Sequence, residues 1–127
     1  MTVTVGSDAF ALNDHASETI TASGSTGDAF DFAPAASPGM ASWTDLLSGF
    51  AATGSAHELL QVSASAFGSG LTSANQTADW QALVAQMSQN SAGQAVINDV
   101  YGDTLTVAGV SRATLSASAN AGDFKFV

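Results

Sequence analysis

The sequence predicts a mainly β protein, a stack of short strands with one amphipathic helix packed on it. Three observations carry that expectation. The phrase GSDAFAL at 6–12 returns as TGDAFDF at 26–32, and ASETITA at 16–22 stands midway between them. Each places an acid (Asp8, Glu18, Asp28) two residues ahead of a large apolar side chain (Phe10, Ile20, Phe30), at a spacing of ten residues. A short fixed period means units that cannot bury an apolar face alone and must stack. The other apolar runs are short and bounded by Gly, Ser and Pro, and only 77–89 carries a long stripe at helical spacing.

The elements follow in order. TVTV at 2–5 alternates and is β-branched, which reads as a strand. Residues 8–12, 18–22 and DAFDF at 28–32 read as three more, with a turn cluster at Ser23 to Gly27. APAASPGMAS at 33–42 holds both prolines and marks a loop between the repeats and the remainder. Trp43, Leu46, Leu47 and Phe50 fall at i, i+3, i+4, i+7 behind Ser42, the spacing of a short helix, although so brief a segment also fits a strand. ELLQVSA at 58–64 reads as a buried strand. In TADWQALVAQMSQ at 77–89, Trp80, Leu83, Val84 and Met87 form the apolar stripe of a helix. Thr77 is its candidate cap, Asp79 lies in its first turn, and Asn90 to Gly93 ends it. AVIND and DTLTVAGV form a strand pair, SRATLSASA at 111–119 a turn of helix, and DFKFV a closing strand.

Length and composition bound the function. A chain of 127 residues fits one domain, 1–127, with a modest core. Eleven acids face two bases, Arg112 and Lys125, for a net charge of −9. Such a surface repels nucleic acid and anionic lipid, so neither is expected as a partner, and it favours cations. Cysteine is absent, which excludes disulfides, thiolate metal sites and cysteine nucleophiles. No apolar run reaches transmembrane length, so no membrane insertion is expected. The opening MTVTVGSDAF has neither the basic region nor the hydrophobic segment of a cleaved signal peptide. The Lys-poor, acidic, Ser/Thr/Gly/Ala-rich composition then favours export by a route that does not read the N-terminus.

Three motifs in the C-terminal part point to a family. An apolar strand ends in S-A-S-A-F at Ser63–Phe67, the strand DTLTVAGV spans Asp103–Val110, and an L-x-A…D-F close runs from Leu115 to Phe124. Over residues 40–127 the chain resembles the C-terminal cap and secretion region of bacterial RTX (haemolysin-type, calcium-binding) proteins exported by type I secretion. The resemblance implies a short right-handed parallel β-helix or β-roll, with 1–34 as degenerate β-roll repeats and 40–127 as the cap that carries the helix. It also implies an uncleaved C-terminal export signal, with DFKFV as its ending. The family repeat is G-G-x-G-x-D-x-U-x, whose glycine-rich turns help hold calcium. This chain departs from it: Asp8 follows Gly6, but Asp28 has Thr26 at that position, Glu18 has Ala16, and the spacing is ten rather than nine.

Calcium is the sharpest chemical expectation. Hard cations take about six to eight oxygen ligands, and Asp8, Asp14, Glu18, Asp28 and Asp31, with Asn13, cluster in the first 31 residues. The alternative is that these acids are solvated turn residues. His15 and His57 have no partners at zinc spacing beyond Asp14 and Glu58 and read as surface residues. Asp99 and Asp103 flank Tyr101 in a sequence that reads as a turn. Neither a G-x-S-x-G elbow nor a phosphate loop nor a dinucleotide fingerprint occurs, so no enzyme is expected.

A cap with almost no body leaves binding or assembly. The expected protein is secreted, extracellular or at the cell surface, and structural. It joins copies of itself head-to-tail through TVTV at one end and FKFV at the other, in a surface or biofilm-matrix filament with calcium as assembly factor. The alternatives are a monomeric calcium-binding or adhesion module and an excised secretion domain of a larger RTX protein.

Overall fold

In the computed structural model the first six strands of the chain alternate between two sheets, and the next three all join the larger one. The structure describes residues 2–4, 9–11, 17, 19–23, 29–32, 44–52, 59–62, 76–98, 104–117 and 122–126. The elements are β1 (Thr2–Thr4), β2 (Ala9–Ala11), β3 (Thr19–Ser23), β4 (Ala29–Phe32), β5 (Thr44–Ser48), β6 (Leu59–Val62), α1 (Gln76–Gln86), β7 (Ser88–Gln89), β8 (Ala95–Asn98), β9 (Thr104–Val107), α2 (Arg112–Leu115) and β10 (Phe124–Phe126). The fold is mainly β, as expected.

A six-stranded sheet runs β1-β3-β5-β9-β8-β7 and a four-stranded sheet runs β10-β6-β4-β2. All pairs of the four-stranded sheet are parallel. So are β1–β3, β3–β5 and β5–β9 in the larger sheet, which becomes mixed where β8 joins β9, and β7 joins β8, antiparallel. The ten-residue spacing of the opening phrases therefore has a structural meaning. Ten residues carry the chain to the other sheet; twenty bring it back, so that Phe10 pairs with Phe30. The predicted boundary near 33–42 lies outside the described residues, and the pairing of β3 with β5 and of β4 with β6 runs across it.

In-register rungs make the core. Ile20, Leu47, Val107 and Ala95 are successive partners across the larger sheet, and Phe30, Leu60 and Phe124 across the smaller one; all are buried. These residues join Leu83 of α1 and Leu115 of α2 in one cluster, with Phe30 edge-on to Phe50 at 6.2 Å between ring centroids. Burying each of the Val, Leu, Ile and Phe side chains among them contributes about 1.5–3 kcal/mol.

Two elements need comment. Residues 44–48, whose spacing left a short helix and a strand both open, form strand β5, with Asp45 and Leu47 buried, and Gly49 at φ 79° turns the chain out of it. Helix α1 ends at Gln86 instead of 89, and it begins one residue ahead of Thr77, the predicted cap. Ser88 and Gln89 enter β7, and Asn90 to Gly93 makes the β7–β8 turn. Asn90 Oδ1 accepts from the backbone N–H groups of Ala92 and Gln94 at 3.0 Å each. Side chains from elsewhere meet the carbonyls at and just past the helix end, that of Gln86 taking the Asn98 side-chain amide at 3.5 Å. Arg112 donates from Nε to the Met87 carbonyl at 2.8 Å and from its terminal guanidinium nitrogen to that of Val84 at 3.1 Å. Arg112 opens α2, whose N-cap Ser111 accepts from the Thr114 N–H at 3.1 Å.

Candidate functional site

Of the residues expected to hold calcium, Asp8, Asp14, Glu18 and Asp28 lie outside the described residues, as do His15, His57, Asp99, Tyr101 and Asp103. Asp31 lies in β4, in register with Ala11 and Gln61. Ala9 and Ala29, the residues directly after Asp8 and Asp28, are register partners. Beside Glu18, the Ser17 hydroxyl accepts from the Thr44 N–H at 3.0 Å, which ties the start of β3 to β5. Among the described residues no group of three or more His, Asp or Glu is placed to hold a metal ion.

The structure adds three acids that sequence reasoning did not single out as buried: Asp45, Asp79 and Asp123 are each at most 2% exposed. None stands without an interaction partner. Asp45 occupies an inward position of β5, in register with Leu105 and through it Ile97, both core residues. Asp79 lies on α1 and Asp123 directly precedes β10, and these two elements pack together. Burying a carboxylate is costly unless it is paired, so these acids belong to the framework rather than to a solvent-facing cation site.

The other candidate for function is the set of sheet edges, where backbone donors and acceptors stand ready to pair. β1 and β7 bound the larger sheet, β2 and β10 the smaller. In the sequence, Asp8, Asp14, Glu18 and Asp28 all precede β4. Among the C-terminal elements, α1 packs on β10 and β8, and the Gln76 side-chain amide donates to the Phe124 carbonyl. Lys125 is exposed on β10, and β7 presents exposed Ser88 and Gln89. Both bases of the chain, Arg112 and Lys125, thus belong to C-terminal elements. The predicted partnership of TVTV with FKFV meets an obstacle here: β1 and β10 are edges of different sheets.

Among the described residues no helix is long and apolar enough to cross a membrane. Compared with protein-family models, with curated proteins and with solved structures, the chain gives no significant match.

Proposed function

We propose that the chain is a secreted, non-enzymatic structural protein that assembles head-to-tail into a cell-surface or extracellular-matrix filament, with calcium as its assembly factor. In this reading it is a short right-handed parallel β-helix or β-roll of the RTX kind, exported by the type I secretion machinery. The observation that carries the proposal is the alternation of the parallel strands β1 to β6 between two sheets, which among the described residues leaves strand edges at both ends of the stack. Such edges pair with further strands unless they are covered, and a contact between unlike ends that does not close on itself makes a fibre.

The role of calcium rests on the net charge of −9 and on the acids Asp8, Asp14, Glu18, Asp28 and Asp31 gathered around the first strands. Bringing that end against another copy costs repulsion that a divalent cation relieves. The test is light scattering with negative-stain microscopy, in about millimolar calcium, the range of extracellular modules, and again in excess chelator. Filaments that form in calcium and dissolve in chelator are the expected result. A monomer under both conditions removes the filament reading and leaves the monomeric module.

A further inference from the structure

We propose that the outward face of the six-stranded sheet is an ice-binding surface, built from in-register rows of threonine. The inference goes beyond the assembly reading, because it concerns the broad face of the sheet and not its edges.

Alternation along three strands sets that face. Ile20, Leu47, Leu105 and Val107 are buried in the core, so the residues between them point outward. On β3 these are Thr19 and Thr21, and on β9 Thr104 and Thr106. On β5 they are Thr44, Leu46 and Ser48. Thr19 and Thr44 are exposed and the others half-buried.

Register aligns them into rows. Thr21 is the partner of Ser48, and Thr44 of Thr104. Thr19, Leu46 and Thr106 form a third row, which Val96 of β8 extends. A β-branched side chain is stiff at χ1, so each threonine presents its hydroxyl and methyl in few orientations.

Charge narrows the occupant. The chain has eleven acids and two bases, yet none of these outward positions carries a charge. The acid of β5, Asp45, is buried on the opposite face of the strand. The smaller sheet differs, with Lys125 exposed in register with Gln61. A neutral face of hydroxyls and methyls offers a cation no carboxylate. It also lacks the aromatic, Met and Arg anchors on which protein partners dock.

Spacing names the occupant. Neighbouring strands lie about 4.8 Å apart, which sets the repeat along each row. In a tetrahedral water network with hydrogen bonds of about 2.75 Å, second-neighbour oxygens stand about 4.5 Å apart. Along a strand, residues i and i+2 are about 6.6 Å apart. That is within about a tenth of the layer repeat of the same network, about 7.3 Å. Liquid water keeps no lasting repeat at these distances, whereas ice does. The hydroxyls stand in for lattice oxygens row by row, and the methyls between them exclude competing liquid.

The test is capture by slowly growing ice, with recrystallisation followed by microscopy, in calcium and again in chelator. The purified protein is expected to enter the ice above the level of an acidic control protein and to keep the grains small. Thr106→Lys sets a charge within the longest row and is expected to lower capture to the control level, with an unchanged circular dichroism spectrum. Gln61→Lys makes the same change at a half-buried position of the smaller sheet and is expected to keep it. Thr44→Lys, at an exposed position, is the second face variant, for the case in which Thr106→Lys fails to fold. Capture no greater than the control would overturn the proposal, as would equal capture by the parent and a folded face variant. Retention on microcrystalline cellulose without entry into ice would overturn it in favour of a solid polysaccharide. Capture by a protein that forms no filaments would support the face and remove the assembly reading. Filaments without capture would do the reverse.

Discussion

Arg112 projects its guanidinium onto the end of α1, adding a donor to the Val84 carbonyl, which also accepts from the Met87 N–H, and supplying one to the carbonyl of Met87 just past the helix. Hydrogen bonds from a charged donor are worth about 1.5–3 kcal/mol each when partly shielded, and a cation at a helix C-terminus adds a favourable dipole term. Arg112→Ala is expected to destabilise the protein by about 2–3 kcal/mol, read as a lower urea midpoint with unchanged slope. Arg112→Lys restores only part of the loss, because an ammonium cannot span two carbonyls with the planar fork of a guanidinium. The sequence shows Arg112 only as one of two bases in an acidic chain; its role depends on a partner 25 residues away. Asp79 illustrates the same limit. Its place in the first turn of α1 follows from the sequence, but its burial follows from what packs on the helix.

At the scale of elements, legibility depended on whether the inward face was uniformly apolar. β9 and β10 place Leu105 and Val107, and Phe124 and Phe126, on the buried face, so alternation identifies them directly. β5 buries Asp45 beside Leu47 and leaves Leu46 half-buried on the other face. One inward acid and one outward leucine erase the period of two, and the remaining apolar residues then fall at helical spacing. The end of α1 was misplaced for a related reason: Ser88 and Gln89 suit a helix as well as a short strand, and the side chains of Arg112 and Asn90 decide between them. Gly93 sets the hairpin that follows, at φ 80°. An added Cβ there would meet no atom within 4 Å, so the penalty lies in the backbone alone. Gly93→Ala is expected to lower the unfolding free energy by about 1–2 kcal/mol without altering the circular dichroism spectrum. A larger loss would mean that the β7–β8 hairpin is held by more than its turn.

The whole molecule combines a small core with a net charge of −9, and those two facts together govern how it responds to ions. Self-repulsion among eleven acids and only two bases lowers stability at low ionic strength, and screening recovers part of it. Simple salt acts on every exposed carboxylate alike. Calcium held by a few of them acts differently: it stabilises in proportion to RT ln(1 + [L]/Kd), about 2.7 kcal/mol at a hundredfold excess over Kd. For a chain of this length that corresponds to a rise in Tm on the order of 10 °C. The sequence located the acids of that candidate site but not their geometry, because carboxylates in polar turns have no period to reveal what faces what. Register places Ala9 beside Ala29, one residue past Asp8 and Asp28. The expected outcome is a Tm increment in calcium beyond that in sodium chloride of matched ionic strength, lost in the chelator control and reduced by Asp28→Asn. Equal increments in the two salts would mean that the acids act as a diffuse charge. Calcium would then serve only to screen repulsion between copies.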